Sequence, residues 1–240
     1  MTSAGRELWV IPLGRLAYGE ALELQRAVAH ARIAGALPQD LLLLVEHDPV
    51  VTLGRSTKAR HLVSSPEFLA SRGVSLFEVE RGGDVTFHGP GQLVGYPIID
   101  LKRHRQDLHW YLRRVEEALI RTIAHWQVPG ERSTGFTGVW TGGRKIASIG
   151  VHARDWVTWH GFALNVATDL RYFELIVPCG IDGVVMTSLA QETEREVTVD
   201  EAGAVAAAAF GDVFALEPVG RDRTLIEESM LVHRAGLSTG

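Results

Sequence analysis

Residues 81–93 read Arg81-Gly82-Gly83-Asp84-Val85-Thr86-Phe87-His88-Gly89-Pro90-Gly91-Gln92-Leu93, four glycines and a proline in 13 positions. Glycine at that density weakens a helix or a long strand unless the backbone has a special task there. It lets the main chain take up φ > 0 and approach a ligand closely, and Arg81 and His88 put polar groups beside it. Two readings stand at this point: a pair of turns around a hairpin, or a ligand cradle. Under either, the flanks 84–88 and 93–99 are short strands.

The segments on both sides agree with a sheet. Toward the N-terminus, 74–80 alternates as a strand, and Ser65-Pro66-Glu67 has the capping hydroxyl and N1 proline of a helix start. Residues 41–45 are a short apolar run, better suited to a strand buried on both faces than to a helix. Residues 18–34 read as a helix with Leu24, Ala27, Val28 and Ala31 on one face, and 8–11 as a first strand. Toward the C-terminus, residues 107–126 form the clearest helix, with Leu108, Tyr111, Leu112, Val115, Leu119, Ile123 and Trp126 in one stripe. Residues 137–141 and 144–151 flank Gly142-Gly143, a tight hairpin turn. A further strand covers 156–166, and an alanine-rich helix starts near Thr198, which stands at capping-box spacing from Glu201. The expected fold class is α/β (α+β): a mixed, largely antiparallel sheet flanked by helices.

The chain has 240 residues, which favours one large domain spanning 1–240 over two small ones. Its residues are 46% hydrophobic and 22% charged. That balance suffices for a packed core. A formal charge of −5 argues against nucleic acid as a partner. A single cysteine excludes an internal disulfide. No leader pattern occupies the stretch from Met1 to Glu20, and no apolar run approaches the roughly 18 residues needed to cross a bilayer. A cytoplasmic protein without membrane contact is expected. With one cysteine and no His-x-x-x-His pair, a zinc site is not expected. There is no phosphate-binding Gly-x-x-x-x-Gly-Lys-Ser/Thr loop and no Gly-x-Ser-x-Gly elbow.

Two side chains bring chemistry. Cys179 lies in Val177-Pro178-Cys179-Gly180-Ile181. A lone cysteine among apolar neighbours is more often a small inert hydrophobe than a nucleophile. Against that, Pro178 fixes the backbone before the thiol, and Gly180 removes bulk after it. The same arrangement leaves the Gly180 N–H free to stabilise an oxyanion. Lys145 follows the Gly-Gly turn in an otherwise apolar strand, either as a solvated strand-end lysine or as a cation that holds a nearby thiol as thiolate. Lys102, Arg103, Arg105, Arg113 and Arg114 form a local basic cluster, read as a solvated face or as a docking site for an acidic partner. Glu46-His47 lies at a strand end beside Asp48-Pro49, where a turn accounts for it.

In combination and order, several blocks resemble the octanoyltransferases of protein lipoylation. They are residues 81–97 (the opening run extended through Val94-Gly95-Tyr96-Pro97), Gly138-Val139-Trp140, Lys145-Ile146-Ala147-Ser148-Ile149-Gly150-Val151, His160-Gly161-Phe162-Ala163-Leu164-Asn165, Pro178-Cys179-Gly180 and Thr187-Ser188-Leu189. Glu46-His47-Asp48-Pro49 and Thr52-Leu53-Gly54-Arg55 fit as well, whereas nothing beyond about Phe214 is diagnostic. The resemblance implies a fold similar to the catalytic domain of biotin and lipoate protein ligases. It implies transfer of an octanoyl or lipoyl group from acyl carrier protein to a lysine of lipoyl domains. The acceptors would be those of 2-oxoacid dehydrogenases and the glycine cleavage H protein. It makes Cys179 the nucleophile, acylated as a thioester, and Lys145 its partner. The acyl-contact positions fall on Arg81, Gly82, Gly83, Asp84, Val85, Thr86, Phe87 and His88, on Ser148, Ile149 and Gly150, and on Gly161, Phe162 and Ala163. No metal and no cofactor is implied, and a monomer suffices.

The chemistry is consistent with those residues. An unperturbed cysteine has a pKa of about 8.5, so a neighbouring ammonium is needed to populate its thiolate at neutral pH. Thioester exchange followed by aminolysis to an amide needs no ATP. Apolar Ile146, Ile149, Phe162 and Leu164 stand either as walls of an acyl tunnel or as plain core. Three alternatives remain open: an ATP-dependent lipoate–protein ligase, a cysteine thioesterase or amidase, and a non-catalytic module that binds carrier proteins or lipoyl domains.

Overall fold

The computed structural model describes residues 7–226. Its main sheet has seven strands: β1 (Glu7–Leu16), β2 (Asp40–His47), β6 (Gln92–Ile98), β7 (Gly138–Thr141), β8 (Arg144–Arg154), β9 (Val157–Asn165) and β10 (Glu217–Gly220). Across the sheet they lie in the order β10-β1-β2-β6-β9-β8-β7. β1 runs parallel to β2 and β10, and every other pairing is antiparallel. The mixed, largely antiparallel sheet expected from the sequence is therefore present. A second sheet, not foreseen, sets β3 (Val50–Leu53) between β4 (Ser75–Glu78) and β5 (Thr86–His88). The glycines and proline at 89–91 separate β5 from β6, so the chain leaves one sheet and enters the other within a few residues.

β2 explains how the layers form. Leu41, Leu43 and Val45 point to one face, where they pack with Ala21, Leu24 and Val28 of α1 (Tyr18–Ile33). Leu42 and Leu44 point to the other, toward Tyr111, Val115 and Leu119 of α3 (Leu108–Ala124) and Ala202, Ala206 and Phe210 of α5 (Val199–Phe214). A strand covered on both faces has to be apolar where it is covered, and residues 41–45 of β2 are. α2 (Pro66–Ser71) is capped by Ser65, α3 by Asp107, and α5 by the reciprocal Thr198–Glu201 box. The small sheet has its own core of Val51, Val85 and Phe87 against Leu69, Phe173 and Ile176. α4 (Leu189–Thr193) follows the segment that carries Cys179.

Three further segments take their places in the fold. Beyond Phe214, where no motif is diagnostic, β10 extends the main sheet beside β1, and 227–240 lie outside the described residues. Glu46-His47 belongs to β2: His47 is buried, and Glu46 accepts a hydrogen bond from Gly91 N–H at 3.0 Å. The basic cluster is largely solvent-exposed and makes local pairs on the surface. Arg105 pairs with Asp107 and Arg113 with Glu116, Lys102 reaches Asp100, and Arg114 lies over Trp110.

Candidate active site

β5, β6, β8 and β9 wall a cavity of about 180 Å³, closed by residues 135–137 and by the turn that carries Cys179. Cys179 is partly exposed, and its sulfur is 3.1 Å from Lys145 Nζ and 3.6 Å from Ser148 Oγ. Lys145 is 1% exposed, so the solvated strand-end reading is excluded. Its ammonium also lies 4.8 Å from the Trp140 ring centroid and 3.5 Å from Thr137 O, and a cation over an aromatic face is held by the ring quadrupole. Lys145 and Ser148 are three residues apart, an odd spacing that would send them to opposite faces of a regular strand. A bulge resolves this. Val139 pairs with Ala147 and Trp140 with Lys145, leaving Ile146 without a partner. Ile146 and Ala147 consequently both face the α3–α5 core, while Lys145 and Ser148 both reach the sulfur.

Cys179 itself sits in left-handed backbone (φ 58°, ψ 16°), with Gly180 also at positive φ. A non-glycine residue held there costs of order 1–3 kcal/mol and persists only where its surroundings impose it. The imposing bonds are Val177 N–H to His61 O at 2.8 Å and Cys179 N–H to Val85 O at 2.9 Å. Gly180 N–H donates to Val177 O at 2.9 Å, so it is not the free oxyanion donor expected from the sequence. Glycine is needed at 180 for a different reason. A Cβ there would lie 2.5 Å from Asp84 Oδ2.

Of the sequence-selected residues, Arg81, Gly83, Asp84, Thr86, His88, Ser148, Ile149, Gly150, Gly161, Phe162 and Ala163 line the cavity together with Cys179 and Lys145. Gly82, Val85 and Phe87 do not. Strand alternation turns Thr86 and His88 inward and sends Val85 and Phe87 into the small sheet's core, and Gly82 N–H is bonded to Val151 O. Ile149 and Phe162 line the cavity, whereas Ile146 and Leu164 are core. Arg81 is held by Nη2 donating to both Thr52 O and Thr52 Oγ1 at 2.8 Å.

Sequence reasoning gave no site role to Tyr18, Tyr96, Phe136 and His160, which also line the cavity, or to His47 just behind Tyr96. His47 Nδ1 donates to Leu16 O at 2.8 Å. That leaves Nε2 to accept from Tyr96 O–H at 2.7 Å, since a neutral imidazole has one donor and one acceptor nitrogen. Burial pushes His47 down to about 4 and, with His47 beside it, His88 down to about 3, so both rings are neutral. Burial pushes Tyr18 up to about 12. Glu80 is opposed by burial, but contacts with His160, Arg26 and Trp159 hold it well below the usual carboxylate range. Tyr96, His160 and His47 stand in three of the family blocks, whereas Tyr18 and Phe136 stand in none. They come from separate segments and meet only in the fold.

A mixed sheet flanked by helices is the fold shared with lipoate and biotin protein ligases. Residues 17–211 match the lipoyl protein ligase A/B catalytic domain. The bipartite lipoate protein ligase of Thermoplasma acidophilum superposes with a TM-score of 0.74 at 17% identity, covering 94% of this chain and 90% of that one. The biotin protein ligase of Aquifex aeolicus does so at 0.52 and 11%, covering 87% and 70%. An octanoyltransferase of Acidobacterium capsulatum is 52% identical over 220 residues, covering 85% of this chain and 89% of its own. The chain belongs to the octanoyltransferase family.

Proposed function

We propose that this enzyme moves an octanoyl (or lipoyl) group from acyl carrier protein to a lysine of a lipoyl domain, through a thioester on Cys179. The observation that carries this reading is the 3.1 Å contact between Lys145 Nζ and Cys179 Sγ beside a cavity with the apolar residues Ile149, Phe162, Ala163 and Val94 in its wall. In the first step the Cys179 sulfur attacks the carrier thioester carbonyl. Its S–C bond forms, the carrier's S–C bond breaks, and the departing carrier thiolate takes a proton from the Lys145 ammonium. In the second, the lipoyl-domain amine attacks the acyl-cysteine carbonyl. The C–N bond forms, Cys179 leaves as thiolate, and neutral Lys145 accepts the amine's proton, which restores the starting pair. Packing the acyl chain against the apolar wall limits the access of water to the acyl-enzyme. One 240-residue unit acting as a cytoplasmic monomer meets these needs.

The donor's docking place is suggested by charge. Arg55, Lys58 and Arg60 are exposed, lie close together in sequence, and have no carboxylate partner among the described residues. Their loop wraps the site: Arg55 N–H donates to Arg81 O and Ser56 N–H to Gly83 O. On a chain of net charge −5 such a patch suits an acidic carrier.

Intact-protein mass spectrometry after mixing with octanoyl-acyl carrier protein, without ATP, tests the reading. The expected result is a hydroxylamine-sensitive octanoyl adduct on the wild type that an apo lipoyl domain discharges, and none on Cys179→Ala. Octanoyl transfer by the alanine variant, or a requirement for ATP, overturns it.

A further inference from the structure

We propose that His61 and Asp84 form a positioning pair that holds the nucleophile turn in its left-handed conformation, with the Cys179 sulfur aimed at Lys145. His61 Nδ1 and Asp84 Oδ2 are 2.7 Å apart, with side chains 6% and 10% exposed. Arg60 Nε donates to His61 Nε2 at 3.3 Å. With Nε2 accepting, Nδ1 is the ring's N–H donor toward Asp84. The second carboxylate oxygen, Oδ1, accepts from Val85 N–H at 2.7 Å. Both backbone anchors of the turn therefore come from this pair or its neighbour: His61 O receives Val177 N–H, and Val85 O receives Cys179 N–H. Gly180 completes the arrangement. A Cβ at that position would lie 2.5 Å from Asp84 Oδ2 and 3.0 Å from the His61 ring, so the turn is seated directly on the hydrogen-bonded pair. His61 does not line the cavity, and Asp84 uses both oxygens on His61 and Val85. Neither is a catalytic residue. Asp84, placed among the acyl contacts by family resemblance, lines the cavity and also seats the turn.

This inference rests on the Cys179 reading, and its test is chosen to separate the two. His61→Asn carries an amide N–H near the place of Nδ1, whereas His61→Gln carries one near the place of Nε2. The two variants are similar in size and polarity. The measurements are the kcat and KM for octanoyl transfer, the iodoacetamide alkylation rate of Cys179, and Tm. A shift of the sulfur on the order of 1 Å costs up to about 100-fold in rate. His61→Asn should therefore keep kcat near wild type. His61→Gln should lose about 10- to 100-fold in kcat with little change in the donor's KM, alongside an altered alkylation rate. Equal kcat for the two variants, or activity that merely follows Tm, overturns the positioning role. Failure of the wild type to form the octanoyl adduct would overturn the Cys179 reading, while the alkylation comparison would still report on the turn.

Discussion

At the scale of single residues, the site turns on one cation and one sulfur in direct contact. Lys145 has no carboxylate within salt-bridge distance among the described residues, and its ammonium is satisfied by Cys179 Sγ, Thr137 O and the Trp140 face. Removing that charge while keeping the volume, as in Lys145→Met, should slow single-turnover acylation by about 10²- to 10⁴-fold, the usual range for a proton-transferring group. Ser148→Ala, which loses only the longer 3.6 Å contact, should cost far less. Equal losses for the two would deny Lys145 its special role.

Among the elements, the close approach of β6 and β9 calls for a direct test because it brings the cavity walls together. A Cβ on Gly161 would lie 2.1 Å from Gly95 O and 2.5 Å from Pro97 Cδ, both on the neighbouring strand. Backbone on that side cannot swing away as a flexible side chain would. Gly161→Ala should destabilise the fold by about 1–3 kcal/mol, read as a lower urea midpoint. An unchanged midpoint would show that the sheet yields there.

For the molecule as a whole, two outcomes follow from charge. Folded His47 and His88 titrate at about 4 and about 3, below the ordinary histidine value of about 6.5 in the unfolded chain. Between those limits the unfolded state binds more protons. Their contribution is thus fully present above about pH 6.5 and is lost as pH falls, by at most roughly 1.4 kcal/mol per pH unit for each ring. Urea midpoints between about pH 7.5 and 5 should fall less steeply in His47→Gln/His88→Gln than in wild type, and identical slopes would refute the assignment. The second concerns the Arg55–Lys58 loop. Reversing both charges to Glu should raise KM for octanoyl-acyl carrier protein about tenfold at low salt and leave a small octanoyl thioester unaffected. A parallel loss with both donors would show that the loop acts on the site and not on docking.

The same scales separate what was legible beforehand. Local signals sufficed for the capped starts of α2 and α5, for the apolar stripe of α3, for the two-faced apolar run of β2, and for the hairpin at Gly142-Gly143, because each depends on neighbours a few residues away. The ordered blocks from Arg81 to Leu189 were enough to identify the family and to single out Cys179 and Lys145. Tertiary structure alone decided the rest. It split the strands into two sheets, recruited β10, and sorted Ile149 and Phe162 into the cavity wall from Ile146 and Leu164 in the core. It also tied up the Gly180 N–H and brought His61 against Asp84. The physical reason is that these features depend on pleat parity, on one bulge at Ile146, and on hydrogen bonds between residues tens of positions apart. A sequence shows which groups are available, but not which of them will share a face or find each other as partners.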